Sequence, residues 1–142
     1  MIVIDTTVLV YAVGTDHPLR DRCHELIDAI AAGRLGATTT VEVLQEFAHV
    51  RARRRDRDDA ARLTRDYLDL LAPLLVVGED DLQDGLRLYA RSDRLGAFDA
   101  VLAAAASRAD ADALVSAHAA FAEADLTHVV PDAAGVARLL GR

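Results

Sequence analysis

No lysine occurs anywhere in the sequence; all sixteen basic residues are arginine. That absence excludes a P-loop nucleotide-binding site, which needs a phosphate-binding lysine, and any enzyme working through a lysine Schiff base. It also argues against a receiver-type domain, which shares a first strand ending in aspartate but carries a lysine as well. Tryptophan is absent, and only 4% of the residues are aromatic although 52% are hydrophobic. The core is therefore expected to be built from alanine, leucine and valine, a composition that favours close helix packing. Cys23 is alone, so no internal disulfide is available, and its place in a helical pattern points to a buried, inert thiol. No apolar run is long enough to cross a bilayer, and the N-terminus lacks a basic region followed by a cleavage site. The expectation is a soluble, cytoplasmic protein. The formal net charge of −7 means that bulk charge does not draw the chain to nucleic acid.

What is present is a pattern. At 142 residues the chain has the size of one domain, able to bury about two-thirds of its unfolded surface. It opens on Ile2-Val3-Ile4, a β-branched run suited to a strand buried on both faces, and leaves that strand at Asp5. Further strands are expected at 35–39, 74–77, 114–116 and 127–130. Helices are expected at 7–13, 19–32, 41–53, 58–71, 80–92, 98–108, 118–124 and 133–140, from apolar spacing and from breaks at Gly14, Gly33, Pro73 and Pro131. Strand and helix alternate throughout, which argues for a single domain over residues 1–142 with a mainly parallel sheet of about five strands, covered on both faces.

Acids at three places in the chain stand out by position. Asp5 ends the first strand, and ligands of open α/β sheets collect at the carboxyl ends of strands. Glu42 and Glu46 lie on the helix after the second strand, in a stripe continued by His49 and Arg53. Asp99 opens the alanine-rich helix in Gly96-Ala97-Phe98-Asp99-Ala100. Each has a plain structural explanation: Asp5 as an N-cap, and Glu42 and Asp99 as acids favoured by a helix N-terminus, by about 0.3–1 kcal/mol. Gathering at one end of a sheet is what would give them a joint role.

The chain resembles the PIN-domain ribonucleases, and within them the VapC toxins of VapBC toxin–antitoxin systems. The matching stretches are Ile2-Val3-Ile4-Asp5-Thr6, Val43-Leu44-Gln45-Glu46-Phe47 and Arg94-Leu95-Gly96-Ala97-Phe98-Asp99-Ala100, with Leu114-Val115-Ser116 and the strand before Pro131 as the closing segment. The resemblance covers essentially the whole chain. It implies a three-layer α/β/α sandwich and an endoribonuclease acting on tRNA or rRNA. Catalysis and metal binding would fall to Asp5, Glu46 and Asp99, with Mg²⁺ or Mn²⁺ as cofactor and Thr6 and Ser116 in support. Glu42, one turn before Glu46, is an alternative ligand. Two positions depart from the family pattern: Thr7 stands where Asn or Ser is common, and His118 stands where an aspartate is usual. The partners implied are RNA, a VapB-like antitoxin and a second copy of the chain.

The chemistry of that assignment is physically coherent. Hydrolysis of a phosphodiester needs an activated water and relief of charge at phosphate, which a divalent cation provides and carboxylates do not. Two carboxylates at about 4 Å repel by about 4 kcal/mol at an effective dielectric of about 20, so three converging acids suit a cation. Neutral imidazole is a poorer Mg²⁺ ligand than carboxylate, so His118 either tunes the site toward Mn²⁺ or simply caps the short helix after it. Arg51, Arg53, Arg54, Arg55 and Arg57 form a basic cluster with three readings: phosphate contacts, complementing a helix dipole, or meeting an acidic partner. Leu26, Ile30, Leu63 and Leu70 are candidates for an apolar antitoxin groove. Two other function classes remain open. One is a PIN-fold binding module catalytically weakened at His118. The other is a metal-dependent phosphatase, weakened by the lack of an Asp-x-Asp motif after the first strand.

Overall fold

The computed structural model describes residues 1–142. Its centre is a four-stranded parallel sheet in the order β2-β1-β3-β4. The strands are β1 (Ile2–Ile4), β2 (Ala37–Thr38), β3 (Ala113–Val115) and β4 (His128–Val129). β1 lies inside the sheet, with Ile2 opposite both Ala37 and Ala113, and Ile4 opposite Val115. Ile2, Val3 and Ile4 are all buried, as is every residue of β3, so the uninterrupted apolar runs belong to strands covered on both faces.

Seven helices accompany the sheet: α1 (Thr6–Val13), α2 (Arg20–Ala31), α3 (Val41–Arg54), α4 (Arg57–Leu71), α5 (Glu79–Arg91), α6 (Ala97–Arg108) and α7 (Ala133–Leu139). α1 packs on α2 and α3, α3 on α4, and α2 on α7, while α5 pairs with α6 and α6 meets β3. Helices on both faces of the parallel sheet make the α/β/α sandwich. Local chemistry fixes the ends. Thr40 caps α3 by accepting from the Val43 N–H at 3.2 Å, and Gly33, at φ +70, closes α2 in the left-handed conformation that a side chain would disfavour. α5 and α6 touch through Gly85, where an added Cβ would come within 2.7 Å of the Val101 backbone. The small residues of the sequence are what let these two helices approach.

Two expectations need correcting. Residues 74–77 do not form a strand. Leu75 makes one parallel bridge to Thr40, with its N–H donating to the Thr39 carbonyl at 2.9 Å, and Val76 is 88% exposed. β2 is only two residues long and the chain turns into α3 at Thr40, so the edge offers no room for a longer ladder. The sheet therefore has four strands. Leu26 and Ile30 are core residues, 0% and 7% exposed, and Leu63 and Leu70 are partly buried against the same core. They do not line an open groove. Cys23 is fully buried as expected, and burial pushes its thiol up to about 12.

The carboxyl end of β1 is held in place by a buried side chain. Thr39, 0% exposed, donates its hydroxyl to the Ile4 carbonyl at 2.7 Å, one residue before Asp5. Thr39→Val keeps the shape and removes that bond. It is expected to cost about 1–3 kcal/mol of stability, read as a lower urea midpoint with an unchanged slope.

Candidate active site

Asp5 is 4% exposed and occupies the N-cap position of α1, yet its side chain caps nothing. Its Oδ2 instead accepts from the Ser116 hydroxyl at 2.7 Å and the Thr7 hydroxyl at 3.1 Å, while its Oδ1 accepts no hydrogen bond within the chain. Both donors are themselves fixed. Ser116 Oγ accepts from the His118 N–H at 2.9 Å, and Thr7 Oγ1 accepts from the Ala117 N–H at 3.0 Å. The turn after β3 is thereby tied to the turn after β1 through one carboxylate. Adjacent parallel strands place these two ends side by side, which is why residues 111 positions apart can bond.

Asp5, Glu46 and Asp99 line one open cavity of about 340 Å³. Thr6, Thr7 and Tyr11 of α1, Val50 and Arg54 of α3, and His118 share its walls. Glu46 accepts from the Thr6 hydroxyl at 3.0 Å, and Asp99 bonds His118 Nδ1 at 2.8 Å through its Oδ2. Each acid is thus tethered by a neighbour through one oxygen, and its other oxygen makes no hydrogen bond within the chain. They do not close into a cage: no three His, Cys, Asp or Glu side chains approach closely enough to enclose an ion directly. The expectation of a direct three-acid cluster is corrected to three acids around a shared space. Apart from the His118 imidazole, the donors are hard oxygens, carboxylate and hydroxyl, which fits a hydrated divalent cation held directly by one or two carboxylates and otherwise through its waters.

The carboxyl group of Asp99 is raised above its usual range. Burial is the main cause, the Asp5 charge adds to it, and the hydrogen bond from His118 opposes it. The alternatives left open by the sequence now have places. His118 occupies the N-cap of the 3₁₀ turn Ala119–Glu123, but its side chain makes no capping bond and turns to Asp99. Glu42 is exposed and lines a separate apolar cavity with Leu82 and Phe98, not the acid cavity. The stripe of α3 that faces the cavity is Glu46-Val50-Arg54, at steps of four, rather than Glu42-Glu46-His49-Arg53.

The arginine cluster divides. Arg51 is not a phosphate ligand: its Nε bonds Asp59 at 2.5 Å, its Nη1 reaches the Val13 carbonyl at 3.3 Å, and it is largely buried. That bond holds the Asp59 carboxyl below its usual range. Arg53, Arg54, Arg55 and Arg57 are exposed, and of these only Arg54 reaches the acid cavity. Thr7 and Tyr11 went unsingled as site residues in the sequence. A helix starting directly after Asp5 carries Thr7 and Tyr11 on one face at a spacing of four, and that face borders the acids.

A raised carboxyl pKa has a definite sign in stability. Between the unfolded and folded pKa values of Asp99 the native state binds more protons, so stability falls as pH rises through that window and stays lower above it. Asp99→Asn is expected to raise the urea midpoint at neutral pH, with the gain disappearing in acid, where wild-type Asp99 is protonated.

Comparison with known proteins identifies the family. The PIN domain model matches residues 2–126. Ribonuclease VapC7 of Mycobacterium tuberculosis is 56% identical over 99% of this chain and 99% of its own length. Ribonuclease VapC23 of the same species is 34% identical over 70% of this chain and 78% of its own. Among solved structures, FitAcB from Neisseria gonorrhoeae superposes with a TM-score of 0.74 at 17% identity, covering 92% of this chain and 98% of that one. The M. tuberculosis toxin VapC20, described as cleaving the Sarcin-Ricin loop, superposes with a TM-score of 0.67 at 16% identity, covering 80% and 87%. With a fold, a cavity of three acids and a near full-length relative in agreement, the chain belongs to the PIN-domain family, among its VapC-type ribonucleases.

Proposed function

We propose that this endoribonuclease toxin is metal-dependent and that its chemistry takes place in the cavity lined by Asp5, Glu46 and Asp99. The observation that carries the reading is that three acids from the ends of β1, the middle of α3 and the start of α6 face one space beside Arg54. Asp5 and Asp99 would hold Mg²⁺ or Mn²⁺, with Glu46 acting directly or through a water. When bound, the cation supplies charge neutralisation at phosphate and an acidified water. The residues of the chain do the rest. Ser116 and Thr7 fix Asp5 through Oδ2 and leave Oδ1 free of hydrogen bonds within the chain, and Thr6 fixes Glu46. His118 holds Asp99 in position and lowers the cost of its ionisation. Arg54 orients the RNA backbone as a planar guanidinium matched to phosphate oxygens.

The substrate class is structured RNA of the translation machinery, tRNA or rRNA. Support comes from the chain's close likeness to a VapC ribonuclease. A cognate antitoxin and a homodimer complete the reading. Leu82, Leu86 and Tyr89, exposed at helical spacing on α5, and exposed Phe98 on α6 give a second copy an apolar face to cover. No helix is long and apolar enough to cross a membrane, which is compatible with RNA targets in the cytoplasm. The alternative of a binding module that has lost its site at His118 draws no support from the cavity, which keeps all three acids.

Cleavage of total tRNA and rRNA is the test. Asp5→Asn is expected to lower the rate by about 10²-fold or more, with the protein still folded. A chelator is expected to abolish cleavage, and Mg²⁺ or Mn²⁺ to restore it; unchanged cleavage in chelator would remove the metal. Arg54→Ala with Arg55→Ala is expected to weaken RNA binding and to make its salt dependence shallower by about 0.7 in log–log slope per lost contact.

A further inference from the structure

Tyr11 and His17 are stacked face to face, with ring centroids 3.7 Å apart and planes inclined by 13°. No other aromatic pair in the chain is arranged this way. Phe47–Tyr67 and His118–Phe121 meet edge to face at 5.0 and 6.1 Å, and Phe121–His128 is tilted at 41°. The location is as distinctive as the geometry. Of the six tyrosines and phenylalanines, Phe47, Tyr67 and Phe121 are buried, Tyr89 and Phe98 lie out on α5 and α6, and Tyr11 alone lines the acid cavity. His17, on the loop after α1, is exposed and lines a neighbouring polar pocket with Asp16, Pro18, Arg20 and Asp21.

The His17 ring is fixed from three sides. Its Nδ1 accepts from the Leu19 N–H at 3.1 Å, which leaves Nε2 to carry the proton of the neutral ring. Its face rests on Tyr11. The loop that carries it is closed by Arg20, whose Nε donates to the Gly14 carbonyl at 2.8 Å. A ring held this way loses little freedom when a second flat group lies on it, so stacking is not offset by ordering.

We infer that the Tyr11–His17 stack is a base platform: the exposed face of His17 receives the base of an unpaired nucleotide whose phosphate lies beside Arg54 and the three acids. This rests on the nuclease reading of the cavity and extends it to the form of RNA taken. Bases are available for stacking only where the strand is unpaired, so the platform selects loops, bulges and ends over duplex. Every base presents a π-face, so the platform favours an unpaired nucleotide without dictating its identity. It also adds, for an acidic protein, a contribution to holding a polyanion that does not depend on charge.

The test uses the full-length protein and a single-stranded oligoribonucleotide with 2-aminopurine at successive positions, its binding followed by fluorescence in chelator and its cleavage followed with Mg²⁺. Wild type is expected to quench one position, which marks the stacked base. His17→Ala is expected to lose that quenching and to bind about tenfold more weakly, the effect of one stacked base. His17→Phe, which keeps a flat ring but cannot accept from Leu19, is expected to restore most of both. Cleavage by His17→Ala is expected to show a raised KM with kcat little changed, and the preference for an unpaired over a duplex substrate is expected to shrink. If His17→Ala binds within about twofold of wild type with quenching intact, the platform is wrong while metal-dependent cleavage stands. If cleavage survives Asp5→Asn but His17→Ala still loses quenching, the platform holds and the catalytic assignment fails.

Discussion

One carboxylate oxygen, Asp5 Oδ2, accepts from two hydroxyl groups, and the organisation of the site follows from that arrangement. A buried aspartate needs donors, and Ser116 and Thr7 supply them from two different segments. Each of those hydroxyls is in turn occupied by a backbone N–H of the turn after β3. The turn therefore cannot move without unsaturating Asp5, and Asp5 cannot rotate without orphaning the turn. His118 leaves that turn at an angle fixed by the same network and meets Asp99, so the position of the third acid is also referred back to the first.

Most of the architecture could be read from the residues because apolar period and breakers state it directly. The β-branched run at 2–4, the alanines of α6 and the break at Gly33 all have local causes. The segment 74–77 could not be read this way. Its apolar residues suit a strand, but pairing depends on the length of the partner edge, and β2 ends after two residues. Similarly, Leu26 and Leu63 share a helical period, yet only the packing of α2 and α4 decides that neither lines a groove.

The site was legible in its acids and illegible in their register. Asp5 and Asp99 are fixed by element ends and Glu46 by its face of α3, and the three share the cavity. The stripe on α3 was misread because a spacing of three or four fits two adjacent faces of one helix, and which face turns to β1 is set by the burial of Val43, Leu44 and Phe47. Once those three are placed inside, Glu46 and Arg54 face the cavity and Glu42 does not. Thr7 looked like a departure from pattern, yet its hydroxyl does the work that a short polar side chain at that position must do. His118, which stands where the family pattern has an aspartate, tethers Asp99.

The arginines show how position rather than residue type assigns work in a chain without lysine. Arg108 joins α6 to α5 through Asp81 and Asp84, and Arg51 joins α3 to α4 through Asp59. Both are spent on structure, Arg108 on two carboxylates and Arg51 on the Asp59 carboxylate and the Val13 carbonyl. Arg54 makes no ion pair and stands at the cavity wall, and at physiological salt its field reaches only about 8 Å. Within that distance the net charge of −7 matters little, because most of it is screened. The local balance matters more. Three carboxyl groups face one guanidinium, which by itself turns phosphate away. A bound cation would offset that balance and a stacked base would add attraction that charge does not oppose, so the proposed metal and the proposed aromatic platform answer the same electrostatic problem in complementary ways.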